Sequence, residues 1–175
     1  LAIESTMISH APEVKEKLED IGIPVLIDQS SYESHHLGRT EWIKLYSVLM
    51  GKEDVAEKLF DEQVDYMNEV IGRENTGKTV AFFHISSSGY AVARKSGDYV
   101  TKMIELAGGN YIFKNLGDPE TATSTVTLEM EKFYATAKDA DFIIYNSTIG
   151  GEIYSIEELI TKNSLLENFK AVQNG

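Results

Sequence analysis

Residues 53–71 constrain the fold most strongly, because they form one long amphipathic stretch, EDVAEKLFDEQVDYMNEVI. Their apolar side chains recur at intervals of three, four and seven residues, which is the spacing of one face of an α-helix. The stretch contains neither Gly nor Pro, and Gly72 follows it as a helix-ending residue. We predict a helix about 28 Å long that joins two α/β halves. The alternative is a packing helix within a single domain.

Short apolar strands alternate with amphipathic helices on both sides of this stretch, which is the order of an α/β fold. Before it, a strand at 1–3, a helix at 11–21 and a strand at 23–27 form one β-α-β unit. A helix over 40–50 follows, with Thr40 as its expected N-cap. After residue 72 we predict a parallel or mostly parallel sheet flanked by helices. Its strands are expected at 80–85, 111–113 and 142–145, with helices at 97–107, 128–137 and 156–162 and a further strand at 171–175.

The balance of charges narrows the range of partners. The chain has 28 acidic and 16 basic residues, giving a formal net charge of −12. Such a charge opposes binding to a nucleic-acid backbone or an anionic membrane surface, so neither partner is predicted. The absence of Cys excludes disulfides and thiolate metal sites. No apolar run approaches the ~20 residues of a membrane span.

The first residues, Leu1 to Ile3, have the composition of a strand, and no initiator Met precedes them. We therefore expect a fragment of a longer protein. A sheet interrupted at Leu1 would expose unpaired backbone groups and apolar surface, so self-association of the fragment is expected as well.

One segment matches a nucleotide-binding motif but lacks its context. Residues 72–79, GRENTGKT, fit the P-loop pattern G-x-x-x-x-G-K-[ST]. The chemistry of that loop requires a strand before it and a helix after it, so that backbone amides and the helix N-terminus converge on the phosphates. Here the predicted helix comes first and the strand second. We interpret the segment as a helix-to-strand turn.

Two other candidate chemistries lack support. A metal site could be built from His10, one of His35 and His36, and His84, but no ligand spacing favours it, and no metal or other cofactor is predicted. The loop at 86–89 has no nucleophile elbow and no assignable acid–base pair. An α/β enzyme or a nucleotide-binding regulatory domain therefore stands as the alternative function.

The chain resembles the substrate-binding proteins of ABC importers for iron-siderophores, haem and cobalamin, in which a single helix joins two lobes. Within residues 18–60, the first of four similar segments, the closest likeness lies in Leu37-Gly38-Arg39, Glu41-Trp42-Ile43 and Gly51-Lys52-Glu53. Four segments carry the resemblance: residues 18–60, residues 96–113 with their Ala-Gly-Gly end, residues 126–145, and residues 165–175. Together they follow the order of the family along nearly the whole chain.

The resemblance implies an α/β fold of two Rossmann-like lobes joined by one long helix, with the first lobe truncated and the second nearly complete. Residues 1–52 would form the C-terminal part of the N-terminal lobe and 53–72 the interlobe helix. Residues 73–175 would form the C-terminal lobe without its last strand and helix. The implied protein is not an enzyme. It works outside the cytoplasm, in the periplasm or lipid-anchored at the cell surface.

The family's ligand lies among loops at strand ends, and here those loops carry Tyr, Arg, His and hydroxyl side chains. The ligand-binding residues implied are Ser31, Tyr32, His35, Arg39, His84, Ser88, Tyr90, Arg94, Tyr145 and Asn146. The partners implied are ABC permease subunits and an iron complex or tetrapyrrole. The permease would contact Glu129, near a helix start capped by Thr127, with Glu131 as the substitute if the register differs. As a helix-start acid, Glu129 could instead only complement the helix dipole.

Overall fold

The computed structural model describes residues 1–71, 73–117 and 124–174. The chain divides into two compact units, Leu1–Gln63 and Val64–Gly175. Each unit contains its own sheet, as the sequence predicts.

In the first unit, strands β1 (Ala2–Ser5) and β2 (Val25–Asp28) pair in parallel, with Ala2 opposite Val25. Helix α1 (Pro12–Asp20) connects them, and Pro12 occupies its first turn, where a missing N–H costs nothing. The predicted β-α-β unit is confirmed.

Helix α2 (His36–Met50) begins four residues earlier than predicted. Its N-cap is His35, whose Nδ1 accepts a hydrogen bond from the Leu37 amide at 3.2 Å. The prediction that Thr40 caps this helix is wrong, because the Thr40 hydroxyl donates to the His36 carbonyl one turn back, inside the helix. His35 therefore lies at a helix start, and Arg39 lies within the first turns of α2.

Helix α3 (Glu53–Val70) is continuous, which confirms the prediction for residues 53–71 almost to the residue. Gly51 separates it from α2 by adopting a left-handed conformation at φ +59°. The boundary between the two units falls within this helix, after Gln63. The predicted stop at Gly72 lies outside the described residues.

The sheet of the second unit is mixed. Strands β5 (Asn110–Tyr111) and β7 (Phe142–Tyr145) run parallel to the central strand β3 (Thr79–Ile85). Strand β4 (Ala91–Arg94) runs antiparallel to β3, and β6 (Thr125–Leu128) antiparallel to β4. The three predicted strands are parallel to one another, but the sheet as a whole is not mostly parallel, because two strands that were not predicted, β4 and β6, add antiparallel pairs. A short turn, with Gly89 at φ +83°, returns β4 as a hairpin.

The helices of this unit lie close to their predicted positions. Helix α5 begins at Met130, because Leu128 belongs to β6, and Lys170–Gln173 form a short helix within the region where a strand was predicted. The helices are α4 (Tyr99–Leu106), α5 (Met130–Ala137), α6 (Ser147–Gly150), α7 (Ile156–Lys162) and α8 (Lys170–Gln173), with a 3₁₀ turn at Ser164–Asn168.

The Gly108-Gly109 pair ends α4, as predicted, and its two glycines serve different needs. Gly108 has φ +81°, which L side chains rarely adopt, and a Cβ there would lie 3.1 Å from the Glu74 carbonyl oxygen. A Cβ on Gly109 would lie 3.1 Å from Val80 and 3.2 Å from Ile104. A side chain at Gly109 would therefore require its neighbours to move, and one at Gly108 would in addition strain the backbone.

Aromatic rings form the centre of the second unit's core, and Phe133 of α5 lies at their middle. Its ring centroid is 4.6 Å from that of Phe83, 5.5 Å from that of Phe113 and 5.6 Å from that of Phe169. Phe83, Phe133 and Phe169 are fully buried. This contact holds α5 and the chain end against β3.

Residues 73–78 of the P-loop-like segment connect α3 to β3, which agrees with a helix-to-strand turn. Its lysine, Lys78, lies 3.6 Å from the Asp141 carboxylate. Asp141 also accepts hydrogen bonds from the Thr79 amide at 2.9 Å, the Thr79 hydroxyl at 3.1 Å and Lys170 Nζ at 2.8 Å. Lys78 thus takes part in a contact that joins the starts of β3 and β7.

We expect the Asp141→Asn variant to melt at a lower temperature than the wild type at neutral pH. Lys170 and then the Thr79 amide hold the pKa of Asp141 well below its ordinary value. Stability from a carboxyl with a depressed pKa is complete above the unfolded-state pKa of about 4 and is lost as pH falls toward the folded-state pKa. The difference in melting temperature should therefore shrink progressively under acid conditions. Thermal melts across the acid range measure it.

The matched control is Asp139→Asn, which removes an exposed acid two residues away. It should change the melting temperature little at any pH. A difference between Asp141→Asn and the wild type that stays constant down to strongly acid pH would contradict the assignment.

Candidate functional site

The carboxyl ends of β1 and β2 lie at one edge of the first unit's sheet, because the strands are parallel. Open α/β sheets bind ligands at such edges. The 3₁₀ turns Thr6–His10 and Ser30–Tyr32 follow the two strands. The hydroxyl oxygens of Thr6 and Ser31 lie 3.3 Å apart. Ser31 and Tyr32 are therefore at this edge, and Tyr32 is 65% exposed.

Arg39 holds the loop between β2 and α2 in place through hydrogen bonds. Its Nη2 donates to the Ser31 carbonyl at 2.7 Å, and its Nε donates to the Glu33 carbonyl at 3.1 Å. Trp42 of α2 supports the same loop, since its indole Nε1 donates to the Glu33 carboxylate at 3.3 Å. These contacts give Arg39 a structural role in positioning the loop, and its pairing with a ligand carboxylate stays a prediction.

Asp28 is a residue of this edge that the sequence analysis did not single out. It ends β2, and its Oδ1 accepts a hydrogen bond from the Ser30 amide at 2.7 Å. The pKa of Asp28 is lowered, first by this amide and then by the Tyr46 hydroxyl. The hydrogen bond between the Tyr46 hydroxyl and Asp28 raises the pKa of Tyr46. An acid directly at a strand end was the signal that could have identified it.

His35 lies exposed at the start of α2, and its ring centroid is 4.4 Å from that of His36. Burial, followed by the neighbouring His35, lowers the pKa of His36. The described residues contain no group of three or more His, Asp or Glu side chains arranged to hold a metal ion.

In the second unit, the carboxyl ends of β3 and β7 meet at one edge. The Asn146 amide donates to the Phe83 carbonyl at 2.8 Å, which continues the pairing beyond β7. The Tyr145 hydroxyl lies 3.4 Å from the Ile85 amide, and Asn146 Oδ1 caps α6 by accepting from the Thr148 amide at 3.2 Å. Tyr145 and Asn146 are thus both at the predicted edge, each held by hydrogen bonds.

The turn between β3 and β4 brings Ser88 and Tyr90 to the same end of β3. The Ser86 amide donates to the Tyr90 carbonyl at 2.9 Å, and the Tyr90 amide donates to Ser86 Oγ at 3.1 Å. Ser88 and the Tyr90 side chain are exposed. Their positions leave them accessible to a ligand.

His84 and Arg94 lie on one face of the sheet, farther from the edge. His84 is only 8% exposed, and its pKa is lowered by burial and then by Arg94. The Arg94 guanidinium lies 5.9 Å from the centroid of the Phe82 ring and 3.5 Å from the Asp98 carboxylate. The burial of His84 leaves little surface for a ligand, so direct binding by this residue stays a prediction.

Two cavities of this unit were missed at the sequence level, because their walls come from distant segments. One has a volume of about 320 Å³ and includes Tyr145 and Tyr154 in its wall. The other has a volume of about 300 Å³ and adjoins the end of β3. Its wall consists of Ile85, Ser86, Ser87, Ile149, Gly150 and Lys162.

Glu129 is exposed and lies at the N-cap position of α5, where its side chain makes no capping hydrogen bond. The prediction that Thr127 caps this helix is wrong, because Thr127 pairs with Val92 within β6. Glu131 provides the acid in the first turn. Among the described residues, no helix combines the length and the apolar composition that a membrane crossing requires.

Solved structures with the same fold are periplasmic binding proteins. The chain superposes on the periplasmic haem-binding protein HutB of Vibrio cholerae with a TM-score of 0.74 at 19% identity, covering 98% of this chain and 63% of that one. A possible iron-binding, periplasmic solute-binding protein of Staphylococcus epidermidis gives 0.68 at 18% identity, with 98% and 63% covered. A Fe³⁺-hydroxamate transport protein of Saccharomonospora viridis gives 0.68 at 16% identity, with 97% and 62% covered.

The chain is also similar in sequence to curated proteins. An uncharacterized lipoprotein of Methanocaldococcus jannaschii is 30% identical over 162 residues, which cover 91% of this chain and 37% of that protein. A second uncharacterized lipoprotein of this organism is 25% identical over 168 residues, covering 93% and 41%. The chain spans less than half the length of these relatives. No protein-family model matches it. The fold is the α/β fold of the periplasmic binding proteins.

Proposed function

We propose that this chain belongs to the extracytoplasmic solute-binding component of an ABC importer, which captures an iron complex, either a siderophore or haem, or cobalamin, and delivers it to the permease. The observation that carries the proposal is the shared fold, since neighbours that superpose over 97–98% of this chain bear names of haem, iron and Fe³⁺-hydroxamate binding. The names of the relatives as lipoproteins favour a lipid-anchored position, with the periplasm as the other extracytoplasmic site.

The side chains at the two sheet edges favour binding over catalysis. Exposed Tyr32 and Tyr90 can lie against an aromatic or macrocyclic ligand. The polar groups described beside them, such as Arg39, hold loops through backbone carbonyls. Such an arrangement presents a preformed surface, which is what a binding protein needs.

The contact between Lys78 and Asp141 counts against the alternative of nucleotide binding. A P-loop lysine must reach the β- and γ-phosphates from a loop that precedes a helix. Here the lysine precedes a strand and pairs with a carboxylate. The protein is therefore proposed to be a binding protein without enzymatic activity.

Fluorescence of Trp42 tests the proposed ligand class, because it is the single Trp and adjoins the loop after β2. In the intact protein, we expect saturable quenching by at least one of haem, a ferric siderophore and cobalamin, and none by ATP. N-acetyltryptophanamide, titrated in parallel, corrects for absorption by the coloured ligands. Saturable quenching by ATP, with none by the three metal complexes, would contradict the proposal.

The permease contact is proposed at Glu129. Its exposed carboxylate makes no capping hydrogen bond, so it is available to a basic group on a partner. A charge on the rim of a transient interface acts mainly on the rate of encounter and on specificity, with little effect on the fold.

We expect Glu129→Ala in the intact protein to slow association with the permease in nanodiscs by about two- to tenfold, because long-range attraction is lost. Ligand affinity and melting temperature should stay nearly unchanged. Asp139→Ala, which removes an exposed acid just beyond the end of α5, is the matched control. Docking of Glu129→Ala that is as fast and as tight as that of the wild type would show the assignment to be wrong.

A further inference from the structure

We infer that Lys162 forms a subsite for a carboxylate group of the ligand, in the cavity beside the end of β3. The inference rests on the proposed function and narrows its ligand class to metal complexes that carry carboxylates. It depends on three features: the position of Lys162, the charges around it, and the chemistry of the cavity wall.

Lys162 is the last residue of α7, and a hydrogen bond fixes its side chain. Its Nζ donates to the Gly150 carbonyl at 3.0 Å. Gly150 can pack closely here, since a Cβ on it would lie 3.3 Å from the Tyr145 hydroxyl. That hydroxyl lies 3.4 Å from the Ile85 amide, at the end of β3. The ammonium group is therefore positioned at the ligand edge of the sheet.

Several lysines of this unit form no ion pair within the described residues, and Lys162 is the one of them in the wall of this cavity. Lys78 and Lys170 pair with Asp141, and Lys102 pairs with Glu105. Lys162 has no carboxylate within 4.0 Å in the part of the chain that the structure describes, although the chain carries 28 acids. An ammonium has three N–H donors, and Gly150 uses one of them. The remaining donors suit an anionic group from outside.

The wall of the cavity suits a carboxylate on an otherwise apolar or bulky ligand. Hydroxyls of Ser86 and Ser87 can donate to carboxylate oxygens, while Ile85 and Ile149 supply apolar surface. The volume of about 300 Å³ is at the lower end of ligand pockets, which fits one arm of a ligand better than a whole tetrapyrrole. Haem propionates and ferric citrate present such carboxylates. A ferric tris-hydroxamate presents no such carboxylate. Neither does cobalamin, whose side chains are amides.

The test measures the affinities of the intact protein for haem, ferric citrate, ferrioxamine B and cobalamin. We expect the wild type to bind haem or ferric citrate, and Lys162→Met to weaken that binding by about ten- to a hundredfold, the range for a hydrogen bond to a charged group. Lys162→Arg, which keeps the charge, should retain most of the affinity. Lys102→Met, which removes an equal charge from α4, should change nothing. Melting curves verify that each variant folds.

Each outcome decides the inference. A wild type that binds only ferrioxamine B or cobalamin overturns the carboxylate subsite and leaves the proposed function standing. So does Lys162→Met with unchanged affinity for haem and ferric citrate. If Lys162→Met fails to fold, two other measurements decide. One is the affinity of Lys162→Arg, and the other is whether bound ligand protects Lys162 from chemical acetylation. Absence of such protection overturns the subsite. A wild type that binds none of the four complexes overturns the proposed function itself.

Discussion

The Asp141 carboxylate is the contact on which the second unit depends. It accepts hydrogen bonds from the amide and hydroxyl of Thr79, and Lys78 and Lys170 supply positive charge beside it. The starts of β3 and β7 and the final helix α8 meet at this one side chain. Because side chains alternate along a strand, a shift of β7 by one residue along β3 would turn the Tyr145 ring away from Phe83.

The same register determines what lies at the opposite edge. With Phe83 opposite Tyr145, β7 ends two residues before β3 does, and the Asn146 amide reaches the Phe83 carbonyl. The hairpin turn, the Tyr145 hydroxyl and the cavity next to Lys162 are all gathered at that end. The proposed ligand edge is therefore a consequence of how the strands align, and the proposed binding role depends on that alignment.

Local patterns predicted much of the fold. Helices α3 and α7 lie almost where their periodicity placed them, because apolar spacing depends only on nearby residues. Long-range contacts were harder to foresee. Strands β4 and β6 are short, and β4 depends on the hairpin turn after Ile85. The early start of α2 reflects an imidazole cap by His35. Lys162 and the end of β3 are far apart in the sequence, and only the fold brings them close to each other.

The central claim is that the protein carries a metal complex, and its most direct test is the absorption spectrum and metal content of the intact protein purified from its host. We expect a coloured protein with an approximately equimolar metal complex, showing a Soret band for haem, a charge-transfer band for a ferric siderophore or the corrin bands of cobalamin. A colourless, metal-free protein that carries a bound nucleotide would contradict the claim.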